Sequence, residues 1–244
     1  MGDLEAQWEV TVRLKHKPLH FENCNDLSML RLLLPNKRSG YQILCVGAHS
    51  DDIEIGCGGA ILKLVSEYKP LTIHWIVFSA EPERRREALK SARLFLKEIA
   101  NKNPSVKDFR TSFFPYQYAQ IKEAFELIKS KTSPDLIFTH CRHDLHQDHR
   151  VINELTWNTF RDHLILEYEI PKYDGDLGNP NFYIHLDESL CVRKIRYILQ
   201  CFKTQRTKHW FTEDTFRALL RLRGIESGAS AKYAEAFYAR KIAF

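Results

Sequence analysis

The sequence lacks several features that would assign it to a specialised class. Its six cysteines include no Cys-x-x-Cys pair, and a chain of 244 residues buries enough surface to need no disulfide bonds. No apolar run approaches the ~20 residues of a membrane span. The N-terminus has no apolar core segment, and Ala6 stands where N-myristoylation needs Ser or Thr. We therefore expect a cytoplasmic protein with reduced thiols and no membrane partner.

Neither charge sign dominates the sequence. The 36 Lys and Arg against 31 Asp and Glu leave a net charge of +5 with histidine neutral, which suits an anionic small molecule as well as a nucleic acid and proves neither. No Gly-x-Gly-x-x-Gly follows the first predicted strand, and the acidic segment there disfavours a bound pyrophosphate. We expect a small-molecule substrate and no nucleic acid partner.

Short apolar runs alternate with helical spacing from Tyr41 onward. Strands are predicted at 43–46, 71–78, 111–115, 135–140, 164–170 and 236–238, and helices at 61–68, from about 83, and at 121–128, 188–203 and 213–223. This alternation predicts an α/β fold with a Rossmann-like, mostly parallel sheet, helices on both faces, and an active site at the carboxyl ends of the strands. Residues 1–38 are predicted to be an N-terminal extension with a strand at 10–14 and a short helix at 27–34.

Two polar segments directly follow buried strands and concentrate reactive side chains. Residues 49–56 hold one histidine and three carboxylates, and residues 140–150 hold four histidines and two aspartates. Histidine and carboxylate are ligands for zinc and similar metals, and a catalytic zinc takes three protein ligands and leaves a position for water. One His and one Asp from the first segment and one His from the second would supply that set. The alternative is structural, since Asp51 or Asp52 could cap the following helix.

These residues resemble the metal-dependent N-deacetylases of the LmbE/PIG-L family. The motifs of that family read Ala-His-Pro-Asp-Asp and His-Pro-Asp-His, and here residues 48–52 read Ala-His-Ser-Asp-Asp and residues 146–149 read His-Gln-Asp-His. The resemblance runs from about Gln42 to the C-terminus and looks closest to the bacterial branch acting on small glycoconjugates. It implies that residues 39–244 form a single catalytic domain, and it also implies a homo-oligomer.

The resemblance implies a role for each matching side chain. The implied ligands of one Zn²⁺ per chain, or of another divalent metal, are His49, Asp52 and His149. Asp51 would be the general base. His146 would protonate the leaving amine or stabilise the oxyanion, with Asp148 orienting it.

Three residues are predicted on the substrate side. Arg84 would reach substrate hydroxyls or phosphate, although a solvated helix arginine is the alternative. Glu54 could hydrogen-bond a sugar or buttress its segment. Lys172 could meet a phosphate from a segment, 168–176, that looks like a substrate cover but could also be an ordinary turn. Asp144 stands where some relatives carry a tyrosine, so whether a tyrosine assists the oxyanion stays open.

The implied reaction is hydrolysis of the N-acetyl group of an amino-sugar conjugate, with a nucleotide-linked or otherwise anionic sugar as the expected substrate. A first alternative is a metal-dependent phosphoester hydrolase, because the same ligands would suit it. A second is a non-catalytic metal- or sugar-binding relative. The presence of Asp51 and His146 argues against the second, since metal binding alone needs neither.

Overall fold

A computed structural model describes residues 34, 35 and 37–243 of the chain. The described strands are β1 Tyr41–Gly47, β2 Leu71–Val77, β3 Asn101–Val106, β4 Leu136–His140, β5 Leu164–Tyr168, β6 Phe182–Leu186 and β7 Tyr233–Ala239. The α-helices are α1 Asp52–Glu67, α2 Pro82–Phe95, α3 Tyr118–Lys131, α4 Gln147–Thr159, α5 Glu188–Cys201 and α6 Glu213–Glu226. Short 3-10 helices lie at Phe114–Gln117 and Lys203–Gln205.

All seven described strands form one sheet in the order β3-β2-β1-β4-β5-β7-β6. Strands β1 to β5 pair in parallel, whereas β7 is antiparallel to both β5 and β6. This architecture confirms the predicted α/β fold with a mostly parallel, Rossmann-like sheet.

Apolar side chains of the central strands belong to two separate hydrophobic cores, one on each face of the sheet. Along β1, Ile43 and Cys45 pack with side chains of α1, α2, α5 and α6, while Leu44 and Val46 pack with those of α3 and α4. Successive strand residues point to opposite faces, so a strand covered on both sides is apolar at every position. The helices therefore cover both faces of the sheet, as predicted.

The predicted strand at 111–115 is wrong, and the two edge strands of the sheet were not predicted. Residues 111–115 form no strand; they turn into the 3-10 helix at Phe114–Gln117. The third strand is instead β3, which contains Pro104 and is largely polar. The strand β6 was not predicted at all. Both β3 and β6 pair on one side only. An edge strand tolerates the proline and polar residues that hide β3 in the sequence, whereas β6 is mostly apolar and only five residues long.

The predicted strand at 10–14 lies outside the described residues, as does most of the helix at 27–34. The boundary between residues 38 and 39 stays a prediction. Within the described part of the chain, no helix is long and apolar enough to traverse a bilayer.

The carboxyl ends of β1 and β4 lie side by side because these two strands pair directly. From β1 the sheet continues through β2 and β3 on one side and through β4 and β5 on the other, which makes this edge the switch point where ligands bind in such folds. The polar segments after β1 and β4 are not loops throughout, because α1 begins at Asp52 and α4 at Gln147. Acidic side chains are favourable in the first turn of a helix.

Gly56 lets a buried tyrosine pack directly against α1. A β-carbon at Gly56 would lie 2.1 Å from Cδ2 of Tyr168. The Tyr168 hydroxyl donates a 2.7 Å hydrogen bond to the carbonyl of Val46, and its ring lies 4.8 Å from that of His140. Glycine at this position therefore preserves a side chain that supports His140 at the end of β4.

We expect Gly56→Ala to lower the free energy of unfolding by about 1–3 kcal/mol, because the added methyl group overpacks the site. Denaturant unfolding monitored by circular dichroism measures this loss. In a Tyr168→Leu background the same substitution should cost less. An equal cost in both backgrounds would show that the contact with Tyr168 is not the cause.

Candidate metal centre and substrate cleft

Three donor atoms converge where β1 and β4 end. His49 follows β1, Asp52 opens α1, and His149 lies in the first turn of α4. The distance from His49 Nδ1 to His149 Nε2 is 3.1 Å, and Oδ2 of Asp52 lies 3.4 Å from the first nitrogen and 3.5 Å from the second. All three side chains are buried. The structure thus brings together the three ligands that the motif resemblance implied.

Each of the two imidazoles is held by a carboxylate on its other ring nitrogen. His49 Nε2 lies 3.1 Å from Oδ2 of Asp148, and His149 Nδ1 lies 2.8 Å from Oδ2 of Asp144. An N–H directed at each carboxylate leaves the lone pair on the nitrogen that faces Asp52. Carboxylate partners of this kind orient metal-bound histidines in proteins.

The donor set fits a divalent metal ion. A tetrahedral zinc with bonds of about 2.0–2.1 Å separates its ligands by about 3.3–3.4 Å, and the three separations here are 3.1, 3.4 and 3.5 Å. Two overlapping groups also hold their donor atoms within 4.8 Å: His49, His146 and His149, and Asp52, His140 and His149. The chemistry of these donors indicates one metal position at this edge of the sheet.

The electrostatics of the centre favour a positive charge beside Asp52. Burial alone would lower the pKa of His49, but the carboxylates of Asp52 and Asp148 outweigh it and raise that pKa to about 9. Burial, together with the charge of His140, lowers the pKa of His149 to about 3. Burial opposes ionisation of Asp52, yet the surrounding imidazoles hold its pKa well below the ordinary value. A bound cation is the natural counter-charge for such a cluster.

A cleft lies beside the metal centre, and Asp51 and Arg84, the predicted base and a predicted substrate contact, lie together on it. Arg84 donates a 2.9 Å hydrogen bond to Oδ1 of Asp51 and a 3.0 Å bond to Oγ of Ser50. Burial raises the pKa of Asp51, and the charge of Arg84 opposes that rise. Both residues line the cleft, so Arg84 reaches the predicted base whatever else it contacts.

His146 caps α4 and lines the same cleft. Its Nδ1 accepts a 3.2 Å hydrogen bond from the backbone N–H of Asp148. The His146 ring lies 4.8 Å from that of His49 and 4.6 Å from that of His149. Burial lowers its pKa, and the charge of His49 lowers it further.

The predicted partner of Asp148 is wrong. Its carboxylate contacts His49 rather than the ring of His146, and it accepts backbone hydrogen bonds from Ser112 at 2.5 Å and Phe114 at 3.1 Å. These two amides fix the carboxylate on the side of His49. The carboxylate of Asp148 therefore orients His49, and only its backbone N–H reaches His146.

Lys172 lies on the cleft, but two acidic side chains already bind it. Its Nζ is 3.1 Å from Oδ2 of Asp144 and donates to Asp176. Its neighbours Ile170, Tyr173 and Asp174 also line the cleft, so the segment 168–176 borders the site. The structure shows acidic partners for Lys172 where a phosphate contact was predicted.

Glu54 does not reach the cleft, which corrects its prediction as a sugar contact. Its side chain is fully buried, and neither carboxyl oxygen makes a hydrogen bond of ordinary geometry with the described residues. Burial raises its pKa well above the ordinary value. Arg223 of α6 is also buried, and it binds Glu169 through two hydrogen bonds of 3.0 and 2.8 Å.

Two residues of the centre had no predicted role. His140 closes β4, with its Nε2 3.1 Å from Oδ2 of Asp52 and its ring stacked 3.9 Å from that of His149. The sequence signal that could have identified His140 is its position at the end of a buried strand. Asp144, noted only for replacing a tyrosine, holds His149, and no sequence pattern marked that contact.

The cleft beside the metal centre has a volume of about 360 Å³. Its walls come from the ends of the parallel strands and from three further segments, around 111–112, 170–174 and 208–210.

Comparison with known proteins adds to this geometry. The family model for PIG-L, described as GlcNAc-PI de-N-acetylase, matches residues 44–160. The chain contains a PIG-L family domain. This PIG-L domain includes all the residues of the metal centre.

Solved structures share the fold over most of their length. The conserved protein TT1542 from Thermus thermophilus is 19% identical with a TM-score of 0.65, covering 84% of this chain and 96% of its own. The N,N'-diacetylchitobiose deacetylase from Pyrococcus horikoshii is 20% identical with a TM-score of 0.62, covering 83% and 84%. The 4-carboxy-2-hydroxymuconate hydratase from Pseudomonas putida is 16% identical with a TM-score of 0.63, covering 84% and 98%. Because a hydratase and a deacetylase share this fold, the fold alone does not decide the reaction.

We expect the chain to retain about one zinc ion after chelator treatment, zinc addition and dialysis, because three donors and their carboxylate supports are preformed. His49→Ala/His149→Ala should lose that zinc. His143→Ala is the matched control, since His143 is exposed in the same segment. Elemental analysis measures the content, and a folded wild type without bound metal would contradict the assignment.

We expect Glu54→Gln to stabilise the protein at neutral and alkaline pH. Below the ordinary carboxyl pKa Glu54 is protonated in both states, whereas above it only the unfolded state loses the proton, so the wild type loses stability as pH rises. The gain should grow by up to about 1.4 kcal/mol per pH unit and vanish near pH 4. Thermal unfolding from pH 4 to 8 measures it, with exposed Glu123→Gln as the control. A gain independent of pH would refute this account.

Proposed function

We propose that the chain is a zinc-dependent hydrolase that removes the N-acetyl group from an amino-sugar conjugate, giving a free amine and acetate. The observation that carries the proposal is that Asp51 and His146 line the same cleft as the metal triad, although metal binding needs neither. The PIG-L match supports amide hydrolysis on an amino sugar. A protein of the same fold that is described as N,N'-diacetylchitobiose deacetylase supports it as well.

Residues His49, Asp52 and His149 would hold the metal. When bound there, zinc polarises the amide carbonyl and lowers the pKa of the attacking water. The neutral ring nitrogens and the carboxylate are the ligand types that zinc prefers. Asp144 and Asp148 keep the two imidazoles turned toward that position.

Asp51 is the proton acceptor in this reaction. Arg84 and Ser50 occupy its Oδ1, while Oδ2 accepts no hydrogen bond from the described residues and is left for the water. The bond from Arg84 also prevents the carboxylate from rotating away. A carboxylate fixed within reach of the attacking water is what a general base requires.

His146 stabilises the oxyanion, and Asp51 is the acid for the leaving nitrogen once it holds the proton taken from water. An amine is too basic to leave an amide carbon without a proton, so the reaction needs an acid on the nitrogen side. With Nδ1 of His146 engaged by the N–H of Asp148, Nε2 is the atom left to serve the substrate. Water attacks the carbonyl carbon and Asp51 takes a proton from it. The neutral ring of His146, with its proton on Nε2, donates a hydrogen bond to the developing oxyanion. Asp51 then passes its proton to the departing nitrogen as the C–N bond breaks.

The two alternatives considered from the sequence predict different products. A phosphoester hydrolase would release phosphate from sugar phosphates or nucleotides and no acetate from N-acetyl sugars. A binding protein would release neither. The expected homo-oligomer and the cytoplasmic location stay predictions.

We expect Asp51→Asn to reduce acetate release by about 10²–10⁴-fold, the usual contribution of a general base, while zinc content stays at the wild-type level. Acetate and phosphate are measured on N-acetylglucosamine conjugates and on sugar phosphates. Asp162→Asn, on the exposed side chain of Asp162, is the control. Unchanged acetate release in Asp51→Asn would refute the base assignment, and phosphate release without acetate would favour the phosphoester hydrolase.

A further inference from the structure

An aromatic wall closes one end of the substrate cleft. It is built by two segments distant in sequence, because the Tyr173 hydroxyl lies 3.3 Å from Nδ1 of His209 and the two rings are 5.0 Å apart. The ring of Trp210 stands 6.5 Å from that of Tyr173 at nearly a right angle. Tyr173 is 64% exposed, and both Tyr173 and Trp210 line the cleft. The wall therefore presents aromatic surface to whatever enters.

Three cationic side chains line the cleft, and two of them are engaged. Arg84 is bound to Asp51, and Lys172 is bound to Asp144 and Asp176. Lys208 is different, since no carboxylate of the described residues pairs with it and its Nζ lies 5.4 Å from the centre of the Trp210 ring. Lys208 lines the same cleft as the metal ligands.

Recruiting Lys172 to a ligand would weaken the metal centre. The same Oδ2 of Asp144 that contacts Lys172 at 3.1 Å holds Nδ1 of His149 at 2.8 Å. An anion drawn to Lys172 would compete with this carboxylate and with Asp176. An anion at Lys208 displaces no acidic partner, because within the described part of the chain Lys208 has none.

We propose that Lys208, together with the aromatic wall of Tyr173 and Trp210, forms a subsite for a negatively charged group on the conjugate. The proposal rests on the proposed deacetylation and specifies its substrate class. An N-acetylated sugar is itself neutral and needs no lysine, so an unpaired cation in the cleft indicates a second, anionic substituent. A lysine ammonium recognises phosphate or carboxylate as a point charge, while the aromatic faces pack against the ring that carries it.

The test compares three probes: N-acetylglucosamine, N-acetylglucosamine 1-phosphate and N-acetylmuramic acid. With the zinc-loaded wild type, at least one anionic probe should show a lower KM than the neutral sugar. Lys208→Met should raise that KM by about tenfold, the value of one hydrogen bond to a charged group, with kcat and the KM of N-acetylglucosamine unchanged. Lys203→Met, on an exposed lysine of the same segment, is the control.

A parallel measurement needs no turnover. Calorimetric binding of glucosamine 1-phosphate should weaken in Lys208→Met by a similar factor. Acetate release from all probes without any effect of Lys208→Met would overturn the subsite and leave deacetylation intact. Binding that depends on Lys208 without acetate release would support the subsite and overturn the proposed reaction. Equal affinity for neutral and anionic probes would also overturn the subsite.

Discussion

The burial of Asp52 is the constraint around which the centre is organised. An isolated buried carboxylate is costly unless it is paired and hydrogen-bonded. Here Oδ2 of Asp52 accepts the backbone N–H of His49 at 2.6 Å and lies within 3.5 Å of nitrogens of three imidazoles. The imidazoles in turn require partners of their own, which explains why Asp144 and Asp148 are buried behind them. A site arranged in this way holds positive charge at one position.

A break in α1 positions Asp52 while keeping the helix attached to the core. The backbone of Cys57 departs from helical geometry, with φ −140° and ψ 15°, so nearby N–H and C=O groups lose partners within the helix. Glu235 of β7 accepts the N–H groups of Gly59 and Ala60 at 2.7 and 2.6 Å. Lys194 of α5 pairs with Glu235 and also donates to the carbonyl of Ile55. This buried ion pair binds the backbone groups at the break and ties α1 to β7 and α5.

The acidic residues of the cleft divide into two functional kinds. Asp144 and Asp148 face imidazoles and are enclosed by protein donors, so they can only position their partners. Asp51 borders the cleft and faces a guanidinium on one oxygen alone. The cations divide in the same way, because Arg84 and Lys172 neutralise acids, while Lys208 pairs with no acid among the described residues. We assign proton transfer and ligand recognition to the groups that keep a free hydrogen-bonding atom or charge among the described residues.

The sequence alone determined which reactive side chains are present and in what order they follow the central strands. Apolar runs marked the central strands because a strand covered on both faces is apolar throughout. The edge strand β3 was missed because it contains proline and polar residues, which an edge position tolerates. The edge strand β6 is a run of only five residues and was missed although it is mostly apolar. His49, Asp52 and His149 could be chosen because they repeat a known motif directly after buried strands.

Only the tertiary structure decided which side chain meets which. His49 and Asp148 are 99 residues apart, and their contact depends on the pairing of β1 with β4 and on the first turn of α4. Glu54 is polar in the sequence but points into the core, since its direction follows from the start of α1 rather than from its chemistry. Lys172 and Lys208 are the same residue type, yet Lys172 is neutralised by two acids brought beside it, and Lys208 has no such partner in the part of the chain that the structure describes. Pairing between distant residues is set by sheet register and helix orientation, which no local pattern records.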